Sequence, residues 1–170
     1  MGLCIKCASV KTSCCINREI FVTENDIERI SSEVQHDQFY EFRCPADPEY
    51  LVQEDDPNWN SYTVQQNGTR RVLKHRNGTA CIFLSPHGCE LTYGARPLIC
   101  RIHPLTYNEE KFTGLDNDCP AELLEKGEDL LNSLGMNESL AEQWRKQLYA
   151  ELVSEKIRKE LRVAAVVMKS

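Results

Sequence analysis

Cysteine is the residue type in this sequence whose number and spacing most clearly indicate chemistry. The chain holds nine cysteines in 170 residues, an odd number that excludes a complete set of intrachain disulfides. In a reducing compartment such thiols more often bind metals or act in catalysis. Eight of them form two groups, an N-terminal one and a central one, and we predict that the groups meet in space around metal. They are Cys4, Cys7, Cys14 and Cys15, then Cys81, Cys89, Cys100 and Cys119.

The N-terminal group combines two kinds of spacing. Cys4 and Cys7 are separated by two residues, which is a spacing shared by zinc and iron–sulfur sites. Cys14 and Cys15 are adjacent, so their side chains diverge and suit two metal centres or one polynuclear cluster. The alternative is that one of the pair binds metal and the other is a small buried apolar residue.

The central group lies in a stretch that Pro86, Gly88, Gly94 and Pro97 keep from forming one continuous helix. Cys81 is predicted at the end of a strand, Cys89 at a glycine turn and Cys100 in the segment after Pro97. Cys119 precedes a predicted helix N-terminus, where the helix dipole favours a thiolate.

Four further residues could assist or compete with these thiols. Arg96 and Arg101 flank Cys100, where a guanidinium would offset thiolate charge and donate N–H groups to sulfur. Alternatively, both arginines pair at the surface with an acidic loop. We expect Cys44 not to be a ligand, and His103 to form hydrogen bonds near the thiols rather than bind metal.

Composition restricts the class of protein. The apolar fraction of 41% is ordinary for one globular domain, alone or with an appendage. A net charge of −6 disfavours nonspecific binding to nucleic acid or to an anionic membrane. No apolar run reaches the roughly 18 residues of a membrane span, and no long apolar signal region opens the sequence. We therefore expect a cytoplasmic protein.

Local patterns predict the elements that position the N-terminal thiols. Residues 1–18 show no sustained period and are predicted as a loop. Residues 19–22 are predicted as a short strand, and Thr23 with Asp26 forms a capping-box pattern that opens a helix of about three turns. Residues 36–68 are predicted as a long acidic surface loop.

The second half of the chain is predicted to contain a hairpin and two helices. Residues 70–74 and 79–84 flank Asn77-Gly78, a strong hairpin signal. One helix is predicted from Pro120 to a C-cap at Gly135. The last helix is predicted to start with a capping box at 139–142 and to pack its apolar face on the domain, although a partner-binding or dimer helix is the alternative. That face comprises Leu140, Trp144, Leu148, Leu152, Ile157 and Leu161.

The order of these motifs resembles the YkgJ family of CxxCxxCC cysteine-cluster proteins, which are described as zinc- or iron-chelating. The resemblance covers roughly residues 4–120 and is most specific over Cys81–Pro104. It implies that the eight grouped cysteines are the metal-binding set. A larger relative, flagellin lysine N-methylase, implies an iron–sulfur centre and methyl transfer as one activity.

These observations together predict a small metal-stapled α+β domain over 1–120 and a C-terminal helical extension over 121–170. The leading functional hypothesis is an iron–sulfur protein, most simply [4Fe–4S], in electron transfer or as the cluster module of an oxidoreductase or modifying enzyme, with a protein redox or substrate partner. A Zn²⁺-stapled interaction module is the second hypothesis. An S-adenosylmethionine-dependent protein methyltransferase is the third, and a disulfide scaffold is the last.

Overall fold

The segment that follows Arg18 runs between two apolar clusters and joins them. In the computed structural model, which describes residues 3–9, 14–50, 55–117 and 119–167, Ile20 and Val22 pack in one cluster and Phe21 packs in the other. The segment was predicted as a strand. It is extended and pairs with residues 71–73, but it forms only the single bridge between Phe21 and Val72.

The helices are short apart from the last one. They are α1 (Leu3–Ala8), α2 (Glu24–Val34), α3 (Trp59–Thr63), α4 (Leu98–Ile102), α5 (Leu130–Ser133) and α6 (Glu138–Val167), with single 3-10 turns at Pro48–Tyr50 and Ala121–Leu123. The predicted capping box is present at α2, where Thr23 and Asp26 exchange side-chain-to-backbone hydrogen bonds. Helix α1 corrects the prediction of a loop over 1–18, of which residues 1, 2 and 10–13 lie outside the described part.

The strands form four separate two-stranded antiparallel ladders. They are β1 (Tyr40–Arg43) with β2 (Arg70–Leu73), β3 (His75–Arg76) with β4 (Ala80–Cys81), β5 (Leu84–Ser85) with β6 (Gly88–Cys89), and β7 (Leu105–Tyr107) with β8 (Phe112–Leu115). The predicted hairpin around Asn77-Gly78 exists as β3–β4, and both turn residues have positive φ. It is shorter than predicted because β2 pairs with β1 instead.

Residues 36–68 are not the surface loop that the sequence suggested, although residues 51–54 within them lie outside the described part. The segment contains β1 and α3, and Trp59 and Tyr62 are buried in the second cluster. Asp56 is also buried and bonds to the hydroxyl of Tyr149. The acidic residues of this segment suggested a surface loop, but its aromatic side chains are part of the core.

The C-terminal part differs from the predicted helical pair. The helix predicted from Pro120 to Gly135 is reduced to a 3-10 turn and the four residues of α5, because Gly127 has φ +94° between them. Gly135 does end α5 with φ +74°. Helix α6 begins two residues earlier than its predicted capping box, since Asn137 accepts from the Leu140 amide at 2.9 Å.

Helix α6 packs against α4, and it is covered as far as Glu155. Leu148 and Leu152 are fully buried, whereas Ile157 and Leu161 are 50% and 64% exposed. Its buried carboxylates join α2: Glu151 accepts from the Thr23 hydroxyl at 2.5 Å. No helix of the described residues combines the length and apolarity needed to cross a bilayer.

Candidate metal centre

A cavity of about 350 Å³ brings the two cysteine groups together. Its walls come from α1, the segment 14–20, the β6–α4 region and the segments around 105 and 119. Seven of the nine cysteines line it: Cys4, Cys7, Cys14, Cys15, Cys89, Cys100 and Cys119. Thiols that are far apart in sequence therefore share one cavity.

Helix α1 supplies Cys4 and Cys7 from positions one turn apart. The helix packs on β6, where Gly88 has φ +95° and its missing Cβ would lie 3.5 Å from the Cys4 carbonyl oxygen. On its other side Lys6 Nζ lies 3.2 Å from Glu125 Oε1 and 3.4 Å from the Leu123 carbonyl oxygen. Both sides of α1 are thus fixed by contacts distant in sequence.

Cys14 and Cys15 are held beside β4 by backbone hydrogen bonds. The Cys81 amide donates to the Cys15 carbonyl at 2.7 Å, and the Asn17 amide donates to the Thr79 carbonyl at 2.8 Å. The hairpin that the sequence predicted therefore positions the adjacent pair.

Cys100 lies in α4, whose first turn depends on α2. The Leu98 amide at the start of α4 donates to Asp26 Oδ1 at 3.0 Å, and Asp26 is fully buried. The same carboxylate accepts from the Thr23 amide at 3.1 Å. One buried side chain therefore caps both helices and fixes the turn that carries Cys100.

Cys119 is attached to a polar cluster at the cavity wall. Its amide donates to the Asp116 carbonyl at 3.3 Å. Arg18 Nη1 donates to Asp116 Oδ2 at 2.7 Å, and His103 Nδ1 lies 3.8 Å from the same oxygen. Sequence reasoning missed Arg18 and Asp116, because 98 positions separate them and neither belongs to a local motif.

Two cysteines do not line the cavity. Cys81 is 4% exposed and packs in the first apolar cluster, although it is close enough for charge on Cys89 and Cys14 to affect it. Cys44 is exposed. The structure thus places Cys81, a predicted ligand, behind the wall that the other seven thiols form.

Burial is the main reason that the pKa is raised for five of these thiols in the metal-free protein. It raises the pKa of Cys4, Cys89 and Cys100, and it raises the pKa of Cys81 and Cys119 to about 11.

Cys14 differs from the other thiols in the first cause of its shift. Its hydrogen bond to Cys15 raises its pKa most, burial adds to this, and a hydrogen bond from His103 opposes both. His103 therefore lies close to a thiol of the cavity wall.

The two arginines have different surroundings. Arg96 lines the cavity, and its charge and hydrogen bonds lower the pKa of Cys4 and Cys89 against the larger effect of burial. Arg101 does not line it. That side chain is buried and donates to the Arg96 carbonyl at 2.8 Å and to the Gly94 carbonyl. Arg101 therefore stabilises the loop before α4 and does not face the sulfur atoms, which differs from the prediction. Among the described residues, which leave out 51–54 of the predicted acidic loop, neither arginine forms an ion pair with that loop.

The donor chemistry of the cavity fits a thiolate-bound metal centre. Sulfur is the predominant donor, and much of the remaining wall is apolar, including Leu3, Ala8 and Ile99. Such a set suits iron–sulfur clusters and zinc. Within the ranges described above, no three Cys, His, Asp or Glu side chains are arranged to hold a single metal ion.

Comparison with known proteins identifies the domain that these residues form. A family model matches residues 3–120; it is the CxxCxxCC family, described as a putative zinc- or iron-chelating domain. The match covers all seven cysteines of the cavity wall and ends before α5 and α6. No curated protein and no solved structure matches the chain.

Proposed function

The chain belongs to the CxxCxxCC family, and from that membership we propose that its cavity binds an iron–sulfur cluster, most simply [4Fe–4S], used in electron transfer or in an oxidoreductase or modifying enzyme. The observation that carries this proposal is the cavity of about 350 Å³ with seven cysteines in its wall. Four thiolates are enough to hold one such cluster, and when bound it supplies one-electron chemistry. We assign the ligands to the seven wall cysteines and not to Cys81.

The protein groups around the thiols would tune such a centre. Cys100 is placed by a helix that a buried carboxylate caps, so its position is fixed by the fold. The Arg96 guanidinium supplies positive charge and N–H donors beside Cys4 and Cys89, which favours thiolates there. Much of the remaining wall is apolar, and the polarity around a cluster is a further influence on its reduction potential.

The test is anaerobic purification followed by elemental analysis and a visible spectrum. We expect about four iron and four sulfide ions per chain for one cubane cluster, with a broad visible absorption from sulfur-to-iron charge transfer that dithionite bleaches. Cys100→Ser should lose the absorption and the iron together, whereas Cys44→Ser, which alters an exposed thiol outside the cavity, should keep both. A colourless protein with stoichiometric zinc would rule out the iron–sulfur proposal.

One observation favours zinc as the second candidate. At the end of the cavity that holds Cys14 and Cys119, His103 and Asp116 are also present, with 3.8 Å between His103 Nδ1 and Asp116 Oδ2. Mixed sulfur, nitrogen and oxygen donors are typical of zinc. No three of these side chains are arranged to hold one ion in the part of the chain that the structure describes, so a zinc ion there would have to draw them together. It would then staple the N-terminal thiols to the segment before α5, and the function would be protein binding. The discriminating result is His103→Ala, which should lower zinc content but leave the content of an all-cysteine iron–sulfur cluster unchanged.

A further inference from the structure

Part of the cavity wall consists of aromatic residues and a carboxylate that the proposed metal centre does not use. Glu19, Tyr50, Trp59 and Tyr107 all line the cavity. The Tyr50 hydroxyl accepts from the Glu19 amide at 3.1 Å. The rings of Trp59 and Tyr107 each lie 6.3 Å from the Tyr149 ring, measured between centroids. We call these four lining residues the aromatic wall.

Two polar atoms of the aromatic wall lack a hydrogen-bond partner in the part of the chain that the structure describes. They are Glu19 Oε2, an acceptor, and Trp59 Nε1, a donor. Glu19 is 8% exposed and Trp59 is 6% exposed. The other carboxylate oxygen of Glu19 accepts from the Ala46 amide at 2.9 Å, which holds the carboxylate in place. Buried polar groups in native proteins are nearly always paired, so this wall is suited to a molecule that both donates and accepts.

The charges around the aromatic wall favour an uncharged molecule. The Arg70 guanidinium is buried behind Tyr50, with its central carbon 5.0 Å from the ring centroid. Its charge and that of Glu19 stabilise each other. A second cation beside Glu19 is therefore disfavoured, and so is an anion beside its carboxylate. Aromatic side chains in a cavity wall favour a planar ring as their partner.

We propose that the aromatic wall binds a small uncharged aromatic amide, whose N–H donates to Glu19 Oε2 and whose carbonyl accepts from Trp59 Nε1. An amide carries both a donor and an acceptor without a charge. The cavity of about 350 Å³ is small for a ligand site and would also hold the metal centre, so a single ring is the size that fits. The inference rests on the proposed function only in making the amide a substrate beside a metal, since its binding requires no particular metal.

The experiment is isothermal titration calorimetry of the full chain as purified, with iron and zinc measured in the same samples. Three probes share one ring: benzamide, N,N-dimethylbenzamide, which keeps the carbonyl but has no N–H donor, and benzylammonium, which is a cation. The variants are Glu19→Gln and Trp59→Phe. Trp144→Phe is the matched control, because the Trp144 ring contacts Tyr93 and Trp144 does not line the cavity.

We expect wild type to bind benzamide about tenfold more tightly than either other probe. Glu19→Gln should weaken benzamide about tenfold, because the Ala46 amide holds the one remaining oxygen, and should leave dimethylbenzamide unchanged. Trp59→Phe should weaken both amides about fivefold, since both keep the carbonyl. Trp144→Phe should change neither. A general defect in folding would weaken both amides in every variant and cannot produce this pattern.

Three results would overturn the proposal. If benzamide does not bind wild type up to its solubility limit, water alone pairs with Glu19 and Trp59. Tighter binding of benzylammonium than of benzamide would assign the wall to a cation. Equal weakening of both amides by Glu19→Gln would contradict the hydrogen bond to the carboxylate. Amide binding by a protein that holds zinc, or neither metal, would refute the iron–sulfur function and leave this proposal standing.

Discussion

Glu155→Gln tests whether the C-terminal helix is part of the domain that the family match defines. Glu155 lies in α6, beyond residue 120, yet it is 1% exposed and accepts two hydrogen bonds from the other part of the chain. Arg71 Nη2 donates to Oε2 at 2.5 Å, and the Glu24 amide donates to Oε1 at 2.5 Å. Glutamine keeps the size of the side chain but provides only one acceptor oxygen. Either Arg71 or the Glu24 amide must then lose its partner.

The expected loss of unfolding free energy depends on the contacts that Arg71 keeps after the substitution. A lost hydrogen bond that involves a charged group costs about 1.5–3 kcal/mol. Breaking a buried ion pair completely costs about 3–5 kcal/mol. Arg71 keeps the Val22 carbonyl at 2.8 Å and Glu24 Oε1 at 3.6 Å, so the charge is not left alone. We therefore expect the free energy of unfolding to fall by about 2–3 kcal/mol, between these two limits.

The assay is urea unfolding of the metal-free protein followed by circular dichroism. Glu160→Gln on the exposed side of the same helix is the matched control and should change stability by less than about 0.5 kcal/mol. The double substitution Arg71→Met with Glu155→Met should cost less than Arg71→Met and Glu155→Met added together. A change below about 0.5 kcal/mol for Glu155→Gln would refute the reasoning. It would show that the hydrogen bonds of Glu155 do not hold α6 to the rest of the chain.

Three more predictions concern the cavity. Removing metal with a strong chelator should lower the unfolding temperature of wild type but leave that of Cys100→Ser unchanged, as differential scanning calorimetry would show. An equal fall in the unfolding temperature of both proteins would mean that the metal is not held at Cys100. In the metal-free protein the pKa values of Cys81 and Cys119 are raised to about 11 from an ordinary 9.0. The stability that their neutral form contributes is therefore complete below pH 9 and is lost as pH rises towards 11. Urea midpoints that stay constant over this interval would contradict this prediction. Gly88→Ala should destabilise the metal-free protein by about 1–2 kcal/mol through backbone strain at φ +95°. A clash would not contribute, since the nearest atom would be 3.5 Å from the added Cβ. Urea unfolding measures the loss, and unchanged stability would show that alanine adopts this conformation without strain.

The parts of the fold that short sequence patterns specify were predictable. The Thr23–Asp26 capping box and the Asn77-Gly78 turn each depend on residues within a few positions of one another, and both are present in the structure. The pairing of β2 with β1 was not predictable, because it joins segments about 30 positions apart and the Asn-Gly turn suggested a different partner for β2.

In the candidate site, too, local sequence patterns predicted some features and contacts between distant residues determined the others. Cysteine spacing singled out seven residues that gather at the cavity, but not that Cys81 would be buried in the first apolar cluster instead of lining the cavity. Arg101 resembled Arg96 in sequence, yet its donors are taken by carbonyls of the preceding loop. Only the three-dimensional path of residues 89–102 distinguishes the two arginines.

The distance along the chain between Cys4 and Cys119 has a consequence for synthesis. Both residues line one cavity, and Asp116 and Arg18 pair across the same wall. During translation the first helix leaves the ribosome long before its partner thiols exist, so its cysteines spend that interval exposed. The cavity wall is complete only after residue 119 has emerged. A metal ion or cluster that binds the finished cavity must therefore bind late in synthesis of the chain.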